Sequence, residues 1–316
     1  MKHTTFFYLV ATAFALVGAT ACSSGDDGDE QANPTPTNPT ERKLVIGVGE
    51  NPFRDENGNA RETRGTVVTT ETLERFTMLW NDNEYAVEKK NGSWIPTPKN
   101  NQYGAWPAVS NDTPISFYAH NAPTNLQDNT THPYYYSGDD HYISFSIEEA
   151  SANQSDLLLS RVTNVTYSET HGVIWFTFDH ACAAVEFNIQ ITNKLRTQLG
   201  ADLTVNSVVL KNIANTGDCH YSTSSGNHIG RWENVSGNAN YTLTQAYMKV
   251  DTSPVALPCK TLFIIPQTLG ESAGLEISYT SSAQKDTTAV ISLAGTKWEA
   301  GHLYPINIVL GTTLIK

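Results

Sequence analysis

The sequence predicts an all-β fold. Short segments in which apolar and polar residues alternate recur along the chain, and glycine, proline, asparagine or aspartate bounds each of them. This alternation is the period of a half-buried strand, and the short spacing between turn residues is typical of β-sandwiches. Long stretches with helical periodicity are nearly absent. We therefore expect packed β-sheets and few helices.

The clearest predicted strand lies in the middle of the chain. Its two faces carry different residue types, with Val185, Phe187, Ile189 and Ile191 on one face and Glu186, Asn188, Gln190 and Thr192 on the other. Similar patterns predict strands at 43–48, 115–119, 142–147, 173–178, 204–210, 262–265, 275–279, 290–293 and 304–310. Residues 148–160 and 194–199 are candidates for short helices.

The first 22 residues have the pattern of a lipoprotein signal peptide. Lys2 supplies a positive charge, residues 6–17 form an apolar run, and small residues at 19–21 lead into Cys22. The run is shorter than the roughly 20 apolar residues of a transmembrane helix. We therefore expect lipidation of Cys22, which would anchor the protein in the outer membrane at the cell surface. Ordinary secretion with cleavage near Ala21 is the alternative.

Residues 23–40 form a polar linker. An acidic stretch is followed by alternating proline, threonine and asparagine, a composition that cannot bury apolar surface and forms a stiff, solvated spacer. An acidic run directly after a lipidated cysteine resembles the surface-export signal of Bacteroidetes lipoproteins, and a simple solvated linker is the alternative. The folded part is expected to begin near Glu41 and to exceed one average domain. We place an N-terminal domain at 41–170 and a C-terminal domain at 171–316, because 164–172 is polar and turn-rich.

Charge and cysteine content exclude several classes of function. The formal net charge of -12 argues against a nucleic-acid partner. Beyond Cys22 the chain has Cys182, Cys219 and Cys259, an odd number without a C-x-x-C pair, which gives a metal or redox site little support. Cys182 lies in an apolar stretch, as a small buried hydrophobe would. Whether Cys219 and Cys259 form a bridge is left open.

No catalytic motif is found, so we expect neither an enzyme nor a cofactor or metal site. The G-x-S-x-G elbow, H-E-x-x-H, the P-loop and the Rossmann fingerprint are all absent. His180 is interpreted as a core or turn histidine. The densest polar and aromatic cluster combines tyrosines at 134–136 with Asp139, Asp140 and His141. It is interpreted as an exposed loop, with a sugar or metal contact as the alternative; Asp218, Cys219 and His220 lack ligand-like companions.

Five segments in order resemble the fimbrillin-like lipoproteins of Bacteroidetes, the subunits of type V pili. They are Trp106-Pro107 with Ile115-Ser116-Phe117-Tyr118-Ala119 and Ala122-Pro123; Gln154-Ser155-Asp156-Leu157-Leu158; Phe176-Thr177-Phe178-Asp179-His180-Ala181 leading into Val185-Glu186-Phe187; Phe263-Ile264-Ile265-Pro266-Gln267; and Trp298-Glu299-Ala300-Gly301 with Tyr304. The resemblance covers about residues 41–316. It implies two transthyretin-like β-sandwich domains, with other pilin subunits as partners and a host protein or glycan as a candidate receptor.

The resemblance also implies assembly by donor-strand exchange after cleavage by an arginine-specific protease. The matching positions are the early strand at 43–48, the polar loop at 55–59, and then Arg61 and Arg64. Removing a strand leaves unpaired backbone groups that another chain's strand can pair with. Both arginines could instead be ordinary solvated residues, and cleavage at Arg42 would leave the early strand in place.

The donor candidate is the last predicted strand. Tyr304, Ile306, Ile308 and Leu310 share one face of it. The tail after Leu310 is short, so a tip or accessory subunit is expected as readily as a stalk subunit. The competing function is a surface glycan-binding lipoprotein that uses aromatic stacking platforms, although tryptophans in β-sandwiches usually belong to the core.

Overall fold

The predicted all-β class is confirmed. The computed structural model describes residues 44–61, 69, 71–80, 83–98, 113–122, 134–137, 140–199, 203–221, 230–244, 247–259, 261–281 and 287–311. These residues lie within one compact unit, Glu41–Lys316. The predictions for Cys22, the linker, Arg64 and the tail after Gly311 fall outside the described residues.

The first nine strands lie between residues 45 and 180. They are β1 (Val45–Glu50), β2 (Arg75–Trp80), β3 (Asn83–Lys90), β4 (Ser93–Pro98), β5 (Ile115–His120), β6 (Tyr134–Ser137), β7 (Asp140–Ser146), β8 (Leu158–Val165) and β9 (Val173–His180). The later strands are β10 (Ala183–Ile191), β11 (Leu203–Ile213), β12 (Thr216–His220), β13 (Arg231–Ser236), β14 (Ala239–Thr244), β15 (Met248–Val250), β16 (Val255–Ala256), β17 (Leu262–Ile264), β18 (Gln267–Thr268), β19 (Gly274–Thr280), β20 (Thr287–Ser292), β21 (Lys297–Trp298) and β22 (Leu303–Leu310).

Seven of the early strands form a closed barrel in the order β1-β4-β3-β2-β5-β8-β9. The barrel closes because β1 pairs with β9 in parallel, whereas its other described pairs are antiparallel. Its interior is filled by one set of apolar side chains, which we call the first core. The first core consists of Leu44, Ile46, Leu73, Phe76, Met78, Trp80, Tyr85, Val87, Ile115, Phe117, Ala119, Leu158, Ile174, Phe176 and Phe178.

The later strands, together with β7, enclose a second set of apolar side chains, which we call the second core. Among its members are Ile143, Phe145, Val185, Phe187, Ile189, Leu210, Tyr241, Ile264, Ile277, Trp298 and Ile308. Strand β10 pairs with β16 and β17 in antiparallel fashion and with β22 in parallel. A further sheet has the order β14-β11-β19-β20, and β12 pairs with both β13 and β7. On β10 the predicted apolar face is buried, and so is Glu186, whose Oε1 accepts a hydrogen bond of 2.7 Å from Thr261 Oγ1.

The strand pairing suggests where the chain divides. β1 and β9 are the first and last strands of the barrel and pair in parallel, and β10 and β22 repeat this relation in the later part. The division into 41–170 and 171–316 stays a prediction. Since β9 belongs to the barrel, we propose that the division follows His180.

The helices are few and short. The helix predicted at 194–199 is confirmed as α2 (Asn193–Leu199), with Leu195 buried. The helix predicted at 148–160 is wrong: a 3-10 turn, Ser151–Asn153, precedes β8, which buries Leu158 and Leu159. A short helix, α1 (Tyr167–Thr170), lies where only a loop was predicted, and a capping box between Thr166 and Glu169 starts it.

Candidate functional site

Strand β1 lies in a groove of the barrel, between β9 and β4. Along β9 it forms a continuous parallel ladder from Val45↔Val173 to Glu50↔Phe178. Backbone hydrogen bonds of 2.8 Å extend this ladder at both ends, from Val45 N to Gly172 O and from Asn51 N to Phe178 O. Towards β4, by contrast, the described register is the single pair Ile46↔Trp94. One full ladder therefore holds β1, with little support from its other neighbour.

The inward side chains of β1 close the first core. Leu44 and Ile46 are 5% and 6% exposed, and Val48 packs against the same cluster. Val45 points the other way and is 45% exposed. Full burial of one such side chain stabilises a fold by about 1.5 to 3 kcal/mol. Loss of β1 would thus uncover both backbone hydrogen-bonding groups and apolar core.

The outward face of β1 is covered by one indole ring. Gly47 lies opposite Trp175 of β9. A Cβ built on Gly47 would overlap the ring and lie 2.9 Å from its Cδ2 atom, and one built on Gly49 would lie 3.1 Å from Nε1. Glycine inside a strand is a signal of close approach, so the pattern Val-Ile-Gly-Val-Gly could have indicated this contact. It could not have named Trp175 as the partner.

The chain that follows β1 reaches the second core through Phe53. This ring is 2% exposed and belongs to the second core. It stacks on His180 with ring centroids 3.9 Å apart and planes inclined by 19°. The next residue joins the start of β22, because Arg54 N donates to Gly301 O at 2.9 Å and Leu303 N donates to Arg54 O at 2.8 Å. Residues 44–54 therefore contribute to both cores.

His180 is confirmed as a satisfied core histidine. Its Nδ1 pairs with Asp156 Oδ2, and both side chains are almost fully buried. Burial raises the pKa of Asp156 although His180 opposes this. For His180 burial alone would lower the pKa, but the charge and hydrogen bond of Asp156, with Glu50 and Asp179, outweigh it and raise the pKa above 6.5. The imidazolium form is therefore favoured in the folded protein.

We expect the stability of the protein to fall as the pH rises through the folded-state pKa of His180. A raised folded-state pKa contributes stability that is complete below the unfolded value of 6.5 and is lost above the folded value. The raised pKa of Asp156 also makes the stability fall as the pH rises, but it does so at lower pH values. Urea unfolding of the unmodified protein between pH 6 and pH 9 should show this loss, because a histidine with a raised pKa titrates at about this pH. The loss of stability should be smaller in His180→Gln. An equal loss in both proteins would show that His180 is not its source.

Arg61, one predicted processing residue, is held by the loop before it. Asp55 is buried, and its carboxylate accepts hydrogen bonds from Asn57 N and Asn59 N at 3.0 and 2.9 Å. Arg61 binds the same carboxylate through Nε at 3.1 Å and Nη2 at 2.9 Å. In addition, Arg61 N donates to Phe53 O at 2.8 Å. The hydrogen bond from the Asn59 backbone is the largest cause that lowers the pKa of Asp55, so the carboxylate stays ionised. We call these contacts between Asp55 and Arg61 the clamp.

The predicted donor residues lie in their own sheet. Strand β22 pairs with β10 from Ala184↔Leu303 to Ile191↔Leu310. Ile308 and Leu310 are buried, Tyr304 and Ile306 are half-buried, and the outward residues Pro305, Asn307 and Val309 are exposed. The predicted alternation is thus observed, and the apolar face of β22 packs into the second core of the same chain.

The polar cluster near Tyr134 is a hairpin, so its interpretation as a loop is wrong. β6 pairs with β7 from Tyr134↔Ile143 to Ser137↔Asp140, and β7 in turn pairs with β12. The His141 ring stacks on Tyr118 at 4.1 Å; Asp139 lies outside the described residues. Asp218 accepts hydrogen bonds from Ser144 Oγ at 2.5 Å and Asn234 Nδ2 at 2.7 Å.

The described residues include neither a candidate metal site nor an ionised buried thiol. Among the described residues, no group of three histidine, cysteine or acidic side chains could hold a metal ion. Cys219 and Cys259 are not bridged to each other. Burial raises the pKa of the Cys182 and Cys219 thiols, so both stay protonated. None of the described helices has the length and apolar character needed to cross a membrane.

Comparisons with known proteins agree with this architecture. A family model described as fimbrillin-like matches residues 58–316. A fimbrial protein from Bacteroides vulgatus has a similar fold, with a TM-score of 0.55 and 17% identity over 87% of this chain and 97% of that chain. A candidate cell adhesion protein from Parabacteroides distasonis gives a TM-score of 0.53 and 7% identity over 86% and 89% of the two chains. No curated protein matches.

Proposed function

Because the chain belongs to the fimbrillin-like family, we propose that it is a structural or adhesive subunit of a type V-like pilus. The observation that carries this proposal is the placement of β1, an N-terminal strand that closes the barrel and is held by one full ladder. Its partners are other pilin subunits, and a host protein or glycan is the candidate receptor. The role is one of assembly and adhesion rather than catalysis.

Loss of β1 would create an acceptor groove. The backbone groups of β9 that now pair with Val45–Glu50 would be left without partners. The sites of Leu44 and Ile46 would open the first core to water. An extended segment from another subunit relieves both costs at once, since it supplies ladder hydrogen bonds and apolar side chains. Exchange of one strand for another is then a favourable route to polymerisation.

Processing after Arg64 is the route by which β1 leaves. Cleavage after Arg61 would require an arginine-specific protease to draw this side chain away from Asp55 and to break its backbone hydrogen bond to Phe53. A charge-assisted pair of this kind has to be broken before the protease can bind the arginine. Cleavage after Arg64 leaves the clamp intact, so we favour Arg64 over Arg61. Cleavage at Arg42 would retain β1 and would not open the groove.

Before processing, a lipid on Cys22 would hold the protein at the outer membrane. We expect Cys22→Ser to abolish incorporation of labelled palmitate and to release the precursor from the membrane fraction. Two or three acyl chains, at about 0.8 kcal/mol per buried CH₂, anchor a protein stably. Cys259→Ser is the matched control and should keep the label. Unchanged labelling of Cys22→Ser would refute the anchor.

Strand β22 and the tail after it are the donor candidates of this chain. Donation would require Tyr304, Ile306, Ile308 and Leu310 to leave β10, with which they now form a full parallel ladder. A stalk subunit needs such a release, and a tip or accessory subunit does not. We therefore propose that the groove left by β1 accepts a strand whether this chain is a stalk subunit or a tip or accessory subunit.

Electron microscopy of surface filaments tests the proposed function. Cells with the gene should display filaments that an antibody against this chain labels along the shaft or at the tip. Cells without the gene should lose the filaments or the labelled tip, and complementation should restore them. Filaments of unchanged number, length and tip structure in the deletion strain would contradict a role as a pilus subunit.

A further inference from the structure

The groove that holds β1 selects strands by shape on its outward side, where the Trp175 indole forms the rim. Trp175 is 61% exposed, yet its indole lies against Gly47 and next to Gly49. A side chain at the Gly47 position would occupy the volume of the ring. A strand with such a side chain would displace the indole into water and lose the contact. The rim thus favours glycine at two outward positions of any strand that lies there.

The groove continues into a socket that Phe53 fills. The Phe53 ring covers His180, whose imidazole forms the buried pair with Asp156. Cleavage after Arg64 removes Phe53 together with β1, because both precede the cut. Without a ring at this place, water would reach the His180–Asp156 pair and the adjoining second core. A flat aromatic side chain on the incoming segment restores the stacking contact.

We propose that the processed subunit accepts a strand with a defined pattern, an inference that rests on the proposed function. The strand lies parallel to β9 and carries apolar residues at the inward positions now held by Leu44, Ile46 and Val48. It carries glycine at the two outward positions beneath Trp175. An aromatic residue follows four positions after the second glycine and enters the socket on His180, as Phe53 does now.

The pattern identifies the occupant as a strand from a different subunit. Strand β22 presents Pro305, Asn307 and Val309 at its outward positions, so it has no pair of glycines to place beneath Trp175. The groove of this chain therefore selects a heterologous donor rather than the C-terminal strand of a second copy.

Peptide exchange on the nicked full chain tests this proposal. The full chain carries Cys22→Ser, and a site for a sequence-specific protease replaces residues 62–68, so that the natural processing step is not part of the test. Labelled peptides then compete with the resident strand, and fluorescence anisotropy measures binding. The peptides have the sequence of residues 43–54, the same sequence with Gly47→Val and Gly49→Val, the same sequence with Phe53→Ala, and the sequence of residues 302–316.

The parent 43–54 peptide should exchange into the groove. The two-valine peptide and the Phe53→Ala peptide should each bind at least about tenfold more weakly, since overpacking and lost stacking each cost on the order of one decade in affinity. In a Trp175→Ala chain the two-valine peptide should bind within about twofold of the parent peptide, because the clash is gone. That rescue separates recognition by Trp175 from a general preference for glycine.

The outcomes distinguish this inference from the proposed function. If the two-valine peptide or the 302–316 peptide binds the parent chain as tightly as the 43–54 peptide, the inference is overturned while strand exchange stands. If no peptide enters the nicked chain, strand exchange itself fails, and with it both proposals.

Discussion

Replacement of Arg64 by alanine is expected to abolish incorporation of the chain into filaments and to leave full-length lipoprotein at the cell surface. Without cleavage at this position, β1 stays connected to the barrel and keeps its ladder with β9. A strand tethered in this way has a high effective concentration and excludes a competitor. Electrophoretic mass of the surface chain and electron microscopy measure the two effects.

The matched control is Arg61→Ala. This change removes the ion pair with Asp55 but leaves Arg64 available to the protease. Processing and filament assembly should therefore persist. If Arg61→Ala blocks assembly and Arg64→Ala does not, the clamp around Asp55 does not protect Arg61, and our order of preference for the two arginines is wrong.

Replacement of Ile46 by aspartate is expected to lower the free energy of unfolding of the precursor by about 3 to 5 kcal/mol. The Ile46 side chain lies within the first core, and an unpaired charge in such a place carries a desolvation penalty of this order. Urea unfolding of the Cys22→Ser precursor measures the loss. Val45→Asp is the control on the same strand, because Val45 is 45% exposed; it should cost about 1 kcal/mol or less.

The same pair of variants separates the precursor from the mature subunit. After cleavage at Arg64 the mature chain contains neither Val45 nor Ile46. Ile46→Asp chains that reach the surface and are processed should therefore assemble as well as Val45→Asp chains. A persistent assembly defect in processed Ile46→Asp chains would show that β1 remains part of the assembled subunit.

Alternation of residues predicted the strands but not their neighbours. The predicted strand at 173–178 and the early strand at 43–48 were both recognisable, and the structure places them side by side in parallel. Pairing between segments so far apart in sequence depends on the whole barrel, and local periodicity does not encode it. For the same reason the pairing of β7 with β12, which follows much later in the chain, was not predicted, although most of β7 was recognised as the strand at 142–147. The segment that forms β6 was interpreted as a loop.

The candidate site was predicted in outline and missed in detail. The early strand was recognised and is observed as β1, whereas the contact between Gly47 and Trp175 needed the register of β9 on β1. Processing at Arg61 or Arg64 stays a prediction. His180 was interpreted correctly as a core residue, but its partner Asp156 could not be assigned from sequence. The clamp of Asp55 on Arg61 is local, and the Asp-x-Asn-x-Asn spacing at 55–59 carried a signal for it.

Determination of the N-terminal residue of this chain in native surface filaments tests the account most directly. Filaments sheared from cells would be separated from membranes, and the chain would be sequenced from its N-terminus. We predict that the mature subunit begins at Gly65, with β1 and Phe53 absent. A chain in the filament that still begins at Cys22 and retains β1 would contradict strand replacement as the basis of assembly.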